Sequence, residues 1–196
     1  MLLLSTAYFP PIEYFAAIAR YSVVFMESAE NYVKQTYRNR CRILTSNGVE
    51  DLRVPVLHDG TKLITEVRID YKTQWVRQSK YAIDSAYYNS PFFEYYRDEL
   101  FSIMDSCPLT LWELNMAITG FFCRKVGLKS KFSLSGEYKS SWEDCEDLRD
   151  VIHPKKESMY EAKKYYQVFS SRFGFVPGLS IMDLLFNEGP ESICYL

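Results

Sequence analysis

The stretch LLLSTAYFPPIEYFAAIARYSVVFM, Leu2–Met26, decides the fold. Leu2 to Tyr8 is a short apolar run that stops at Pro10-Pro11. Ile12 to Tyr21 then has helical spacing through Ile12, Phe15, Ala16 and Ile18, and Ser22 to Met26 is apolar and β-branched. A strand, a helix and a second strand in so short a space make a βαβ unit, whose strands run parallel through a right-handed crossover. Open parallel sheets take their ligands beyond the carboxyl ends of their strands. The loop Tyr8–Pro11 is therefore a candidate binding loop, with Tyr8 and Pro10 as its candidate residues.

Outward from this unit lies NYVKQTYRNRCRI, Asn31–Ile43, which holds Lys34, Arg38, Arg40 and Arg42 and no acid. Read as a strand from Thr36, it sets Arg38, Arg40 and Arg42 on one face and Tyr37, Asn39, Cys41 and Ile43 on the other. Guanidiniums recurring every ~6–7 Å repel unless they are solvated, paired with acids from elsewhere, or built to receive an anion. Arginine suits phosphate and carboxylate because its planar fork bonds two oxygens at once. Turn signals at Ser46-Asn47-Gly48 and Asp59-Gly60 separate this run from Glu50–Leu57 and Leu63–Asp70, which predicts an antiparallel meander. Glu66 and Asp70 are the acids that would neutralise the arginine face across it.

Three helices are expected next. Thr73 caps the first. Ser90-Pro91 opens the second, and Thr110 with Glu113 forms a capping box for the third, with Leu109 and Leu114 as its staple and Gly127 at its end. Lys131–Ser135 reads as one more strand, and charge-rich Glu137–Glu161 as an exposed connection. Tyr165–Phe169 is strand-like. Ser180 starts a last helix in which Asp183 completes a capping box and shares a face with Asn187. The fold class is α/β, a single domain over residues 1–196. In it a mixed parallel/antiparallel sheet, the N-terminal βαβ unit plus the antiparallel meander, is covered by helices.

Sixteen Tyr and thirteen Phe against two His make the chain rich in rings and poor in general bases. A net charge of -2 gives no overall attraction to nucleic acid. The five scattered cysteines read as reduced thiols of a cytoplasmic protein, and no apolar run is long enough for a membrane span. His58 and His153 lie far apart without metal-ligand spacing, and neither common phosphate-cradling glycine motif occurs, so no metal and no cofactor is expected. What remains is a transferase for a phosphorylated or nucleotide-linked small-molecule donor. Lys34, Arg38, Arg40 and Arg42 would neutralise its charge, Tyr8 would stack on a ring, and Asp183 would act as general base. The alternative is a non-catalytic binding or scaffold protein.

Several stretches together resemble the WbqC-like family. They are Tyr8-Phe9-Pro10-Pro11-Ile12-Glu13-Tyr14-Phe15, Asn39-Arg40 with Ile43, Val54-Pro55-Val56, Ser90-Pro91-Phe92-Phe93, Tyr165 with Gln167, and Phe175, Pro177, Leu179-Ser180-Ile181 and Asp183-Leu184-Leu185-Phe186-Asn187. The resemblance implies a transferase of surface-polysaccharide (O-antigen type) biosynthesis, in peripheral association with membrane glycan enzymes. It also favours Asn39 and Arg40 over the flanking arginines as site residues; Gln167, and Asn187 on the face of Asp183, are further candidate substrate contacts.

Overall fold

The computed structural model describes all 196 residues. β1 (Leu2–Leu4) and β2 (Val23–Met26) lie parallel with Leu2 opposite Val24, and α1 (Ile12–Ala19) makes the crossover between them. β1 is an inner strand of a four-stranded parallel sheet of order β5-β2-β1-β6. A strand covered on both faces needs an unbroken apolar run, and Leu2, Leu3 and Leu4 are all buried. The strand stops at Leu4, short of the apolar run. Ser5–Pro11 becomes a buried loop, fixed by Tyr8 N–H donating to the Tyr37 carbonyl at 2.8 Å and Ile181 N–H to the Pro10 carbonyl at 2.9 Å. β5 (Lys131–Leu134) adds to β2. β6 (Glu146–Asp147), which no apolar signal announces, adds to β1 as a short edge.

The antiparallel part stands in a separate sheet, the hairpin of β3 (Arg40–Thr45) and β4 (Gly48–Arg53). Gly48 takes φ +109° at its turn, a conformation open chiefly to glycine. Cys41 and Ile43 point into the core, while Arg40 and Arg42 face outward. The strand does not start at Thr36. The Thr36 hydroxyl donates to the Val33 carbonyl at 2.8 Å and accepts from Arg38 N–H at 3.3 Å, so a local turn competes with the ladder. Arg38 therefore lies before the strand and turns inward. Leu63–Asp70 is not a third strand: it holds a single 3-10 turn at Ile64–Glu66 and isolated bridges to Asn31, Val56 and Thr110. Its backbone groups are taken by three different parts of the chain.

α2 (Trp75–Tyr87), α3 (Phe93–Asp105) and α4 (Leu111–Val126) follow. The Thr110/Glu113 box is closed by bonds of 3.2 and 3.1 Å, and Gly127 ends α4 at φ +85°. Other expected caps are replaced by tertiary contacts. Thr73 caps nothing, since Gln74 is the N-cap of α2. The Ser90 hydroxyl is buried without a partner, and α3 begins after Phe92, whose N–H goes to the Phe186 carbonyl. Leu109 is exposed, so the staple with Leu114 does not form. Tyr165–Phe169 is irregular, followed by one turn, α5 (Ser170–Phe173), and by α6 (Ile181–Glu188). Ser180 caps α6 through Met182 N–H and without a reciprocal bond from Asp183. One contiguous cluster of 42 buried residues joins β1, α1, α4, α6 and the hairpin, as expected of a single α/β domain.

Candidate functional site

The carboxyl ends of all four parallel strands converge, and the residue just after each of three of them is polar: Ser5 after β1, Glu27 after β2, Ser135 after β5. Glu27 is fully buried. It accepts from Ser135 Oγ at 2.6 Å and Ala29 N–H at 2.9 Å on Oε1, and from Arg149 Nη1 at 2.8 Å on Oε2. Arg149, just past β6, also donates from Nε to Asp147 at 2.9 Å and from Nη2 to the Lys139 carbonyl at 2.9 Å. A second pair lies beside it. Arg38 Nε donates to Glu30 Oε1 at 2.8 Å, Ser5 Oγ donates to Glu30 Oε2 at 2.8 Å, and Arg38 Nη2 donates to Ser5 Oγ at 2.8 Å.

Both ion pairs are at most 5% exposed at their side chains. Each buried ion carries a desolvation cost of several kcal/mol, offset only by complete hydrogen bonding. Every oxygen of Glu27 and Glu30 is bonded, and Asp147 and Glu27 hold the Arg149 proton more tightly than usual, Asp147 foremost. The exception is Arg38 Nη1, which has no protein acceptor. Arg38 and Arg149 line one cleft of about 400 Å³ with Glu30, Asn31, Tyr138 and Asp150. Behind it, Ser5, Thr6, Tyr14 and the two arginines bound a cavity of about 20 Å³, room for one water, against which the Thr6 hydroxyl is buried unbonded. Lys156 Nζ sits on the Asp150 carbonyl at 2.6 Å and Lys155 Nζ on Gln35. His153 is correspondingly harder to protonate, through burial first and then Lys156, Lys155 and Arg38. Lys156 thus places positive charge next to Asp150, beside a floor whose arginines are paired with Glu30, Glu27 and Asp147.

The residues expected from sequence divide among three places. Arg38 belongs to this cleft, and Lys34 is exposed one residue from Val33 on its wall. Arg40 and Arg42 lie on the hairpin, where Asp51, rather than Glu66 or Asp70, is the acid beside them at 3.6 and 3.8 Å; Arg53 shares the same carboxylate at 3.3 Å, so these three guanidiniums are only partly compensated. The Arg42 Nη2 also donates to the Pro154 carbonyl at 2.5 Å. Arg38, Arg40 and Arg42 thus do not form one face: Arg38 is turned away by Thr36, and the other two share Asp51. Asn39 Nδ2 donates to the Val54 carbonyl at 3.0 Å, which ties the start of the hairpin. Tyr8 is wholly buried, packed edge-on against Phe9 and Trp75, and Pro10 is buried beneath α6, so neither offers a free surface.

Asp183 is enclosed in the C-terminal core. Its Oδ2 accepts from Tyr165 Oη at 2.6 Å and Gln167 Nε2 at 3.0 Å, and Tyr87 Oη faces the carboxyl without completing a hydrogen bond. Burial pushes this carboxyl up to about 6, against the three polar groups that hold it down. Gln167 spans from Asp183 to the Val176 backbone, and Asn187 Nδ2 donates to the Asp183 carbonyl at 2.7 Å. These three residues are brought together, but as an anchor for α6 and not at the cleft. Glu27, Glu30, Asp147 and Arg149 escape a sequence reading. The one signal for them is a polar residue set directly behind an apolar strand, and Arg149 in its charged surroundings lacks even that.

A model of the WbqC-like protein family matches residues 6–164. An uncharacterised protein of Mycobacterium tuberculosis is 27% identical over 217 aligned residues, spanning 96% of this chain and 94% of its own length. No solved structure matches. No helix is long and apolar enough to cross a membrane, and no three His, Cys, Asp or Glu side chains are grouped to hold a metal ion.

Proposed function

This chain belongs to the WbqC-like protein family, and on that premise we propose that it is a transferase for an activated anionic donor, a phosphorylated sugar or a related molecule, bound in the cleft between Arg38 and Arg149. The observation that carries this is the guanidinium of Arg38. It is buried and fixed by Glu30 and Ser5, yet its Nη1 is left without a protein acceptor at the carboxyl edge of a parallel sheet. A preorganised donor of this kind stabilises charge without reorganising during reaction. Asp150 lines the same cleft, and its carboxylate has no hydrogen-bonded partner. It takes the role of general base that the sequence suggested for Asp183, and Lys34 and Lys156 add positive charge at the rim. The acceptor is a sugar of surface-polysaccharide synthesis, and the site of action is cytoplasmic, beside membrane glycan enzymes.

A thermal-shift titration with inorganic pyrophosphate tests the anion site. A ligand at 100 times its Kd stabilises a fold by about 2.7 kcal/mol, and the shift disappears in the double variant Glu30→Gln/Arg38→Gln, which removes both charges and leaves neither orphaned. An undiminished shift in that variant sinks the proposal. A non-catalytic binding role is favoured by one fact: Glu27 and Glu30 are wholly occupied as ion-pair partners. Asp150→Asn separates the two, since a transferase loses turnover and keeps donor binding, while a binding protein shows no turnover to lose.

A further inference from the structure

Resting on the anion site just described, we propose that the donor is a nucleoside diphosphate derivative, with its base stacked on Tyr138 and its diphosphate at the open Nη1 of Arg38. Tyr138 lines the same cleft as the two arginines. The Arg149 guanidinium carbon lies 4.9 Å from the centre of the Tyr138 ring, and the ring is still 57% exposed. Its hydroxyl makes no hydrogen bond, and the Arg149 guanidinium covers one face of the ring. Arg149 holds it there twice, through the ring itself and through the adjoining Lys139 carbonyl at 2.9 Å. Arg149 therefore orients an aromatic platform in the same cleft as the open donor of Arg38, the pairing that a base joined to a diphosphate requires.

Other features of the cleft agree with this ligand class. A volume of about 400 Å³ falls in the range of small-molecule sites and exceeds what a lone phosphate fills. The Asn31 side chain is exposed at the cleft with no hydrogen bond of its own, and an amide offers both a donor and an acceptor to the edge of a base. A simple sugar phosphate would use Arg38 and leave Tyr138 and Asn31 idle.

Isothermal titration of the full chain with pyrophosphate, UDP, ADP, GDP, CDP and dTDP tests the proposal, alongside Tyr138→Ala and Tyr138→Phe. At least one nucleotide is expected to bind about tenfold tighter than pyrophosphate. Tyr138→Ala erases that tenfold gain and leaves pyrophosphate affinity unchanged, and Tyr138→Phe retains it, because one stacked base is of this magnitude. Circular dichroism confirms that these surface variants are folded. Pyrophosphate binding with no nucleotide preference, or a preference indifferent to Tyr138→Ala, overturns the nucleotide assignment and leaves the anion site standing. Absence of binding by pyrophosphate and by every nucleotide overturns both.

Discussion

Asp183 carries its charge at neutral pH inside a core that disfavours it, and this sets a pH dependence with a definite sign. Its folded-state value of about 6 lies above the ordinary 3.8. Between those limits the native state keeps a proton that the unfolded chain has lost, so stability falls as pH rises from about 4 to about 6 and then levels. The loss is about 3 kcal/mol at about 1.4 kcal/mol per unit. Asp183→Asn, which still accepts from Tyr165, is expected to flatten that slope and to be more stable than the parent at neutral pH; urea unfolding across this range measures it. A slope unchanged by the substitution would show that the carboxyl does not titrate there. Arg149 gives the opposite case. Arg149→Ala leaves Glu27 charged, buried and unpaired, and about 3–5 kcal/mol of stability should go with it, read as a lowered midpoint in the same denaturant. Both residues had plain sequence neighbourhoods. Asp183 was visible as a helix-start acid but its burial was not, because Tyr165 and Gln167 reach it from a different part of the chain.

At the scale of elements, local chemistry was legible where it is also what the chain uses. The box at Thr110 and Glu113 forms, and Gly127 supplies the left-handed turn that ends α4. Thr110→Ala should cost about 1 kcal/mol and lower the thermal midpoint; no change would mean that α4 is held by its buried face alone. Sequence failed where a distant group outcompeted a local cap, and where a tight local turn prevailed over the ladder. Phe186 takes the Phe92 N–H that Ser90 was expected to satisfy, and Thr36 bends the basic stretch before it can join the ladder. That bend is why three evenly spaced arginines do not form one anion-binding face. A single hydroxyl separates Arg38, at the cleft, from Arg40 and Arg42, which share Asp51 across the hairpin. The period of two holds only within a strand, and pattern alone does not say where the strand begins.

For the molecule as a whole, the parallel sheet is readable from its inner strands and from one edge, β5, but not from the other, β6. β1 and β2 are apolar because they lie inside the sheet, β1 wholly buried and β2 buried at Val24 and Met26, while β6 contributes only Glu146 and Asp147 and is recruited by the backbone of β1. The connection that brings β6 into place, from Gly136 to Cys145, is mostly exposed, and none of its N–H groups donates to another backbone carbonyl. It is fixed chiefly by Arg149 on Lys139 and by Trp142 against Phe25, 5.6 Å between ring centres. Segments so lightly bonded open well below the free energy of global unfolding. Trypsin is therefore expected to cut first after Lys139, with the two fragments staying associated through β6 on β1 and through α6 in the common core. Because Tyr138 and Arg149 line the cleft, pyrophosphate or a nucleoside diphosphate bound there should slow that cut several-fold while leaving cleavage elsewhere unaffected. Mass spectrometry of the early fragments distinguishes the outcomes. First cleavage in α4 or the hairpin would mean that the connection is held by more than these contacts, and ligand-independent cleavage at Lys139 would separate the connection from the site it borders.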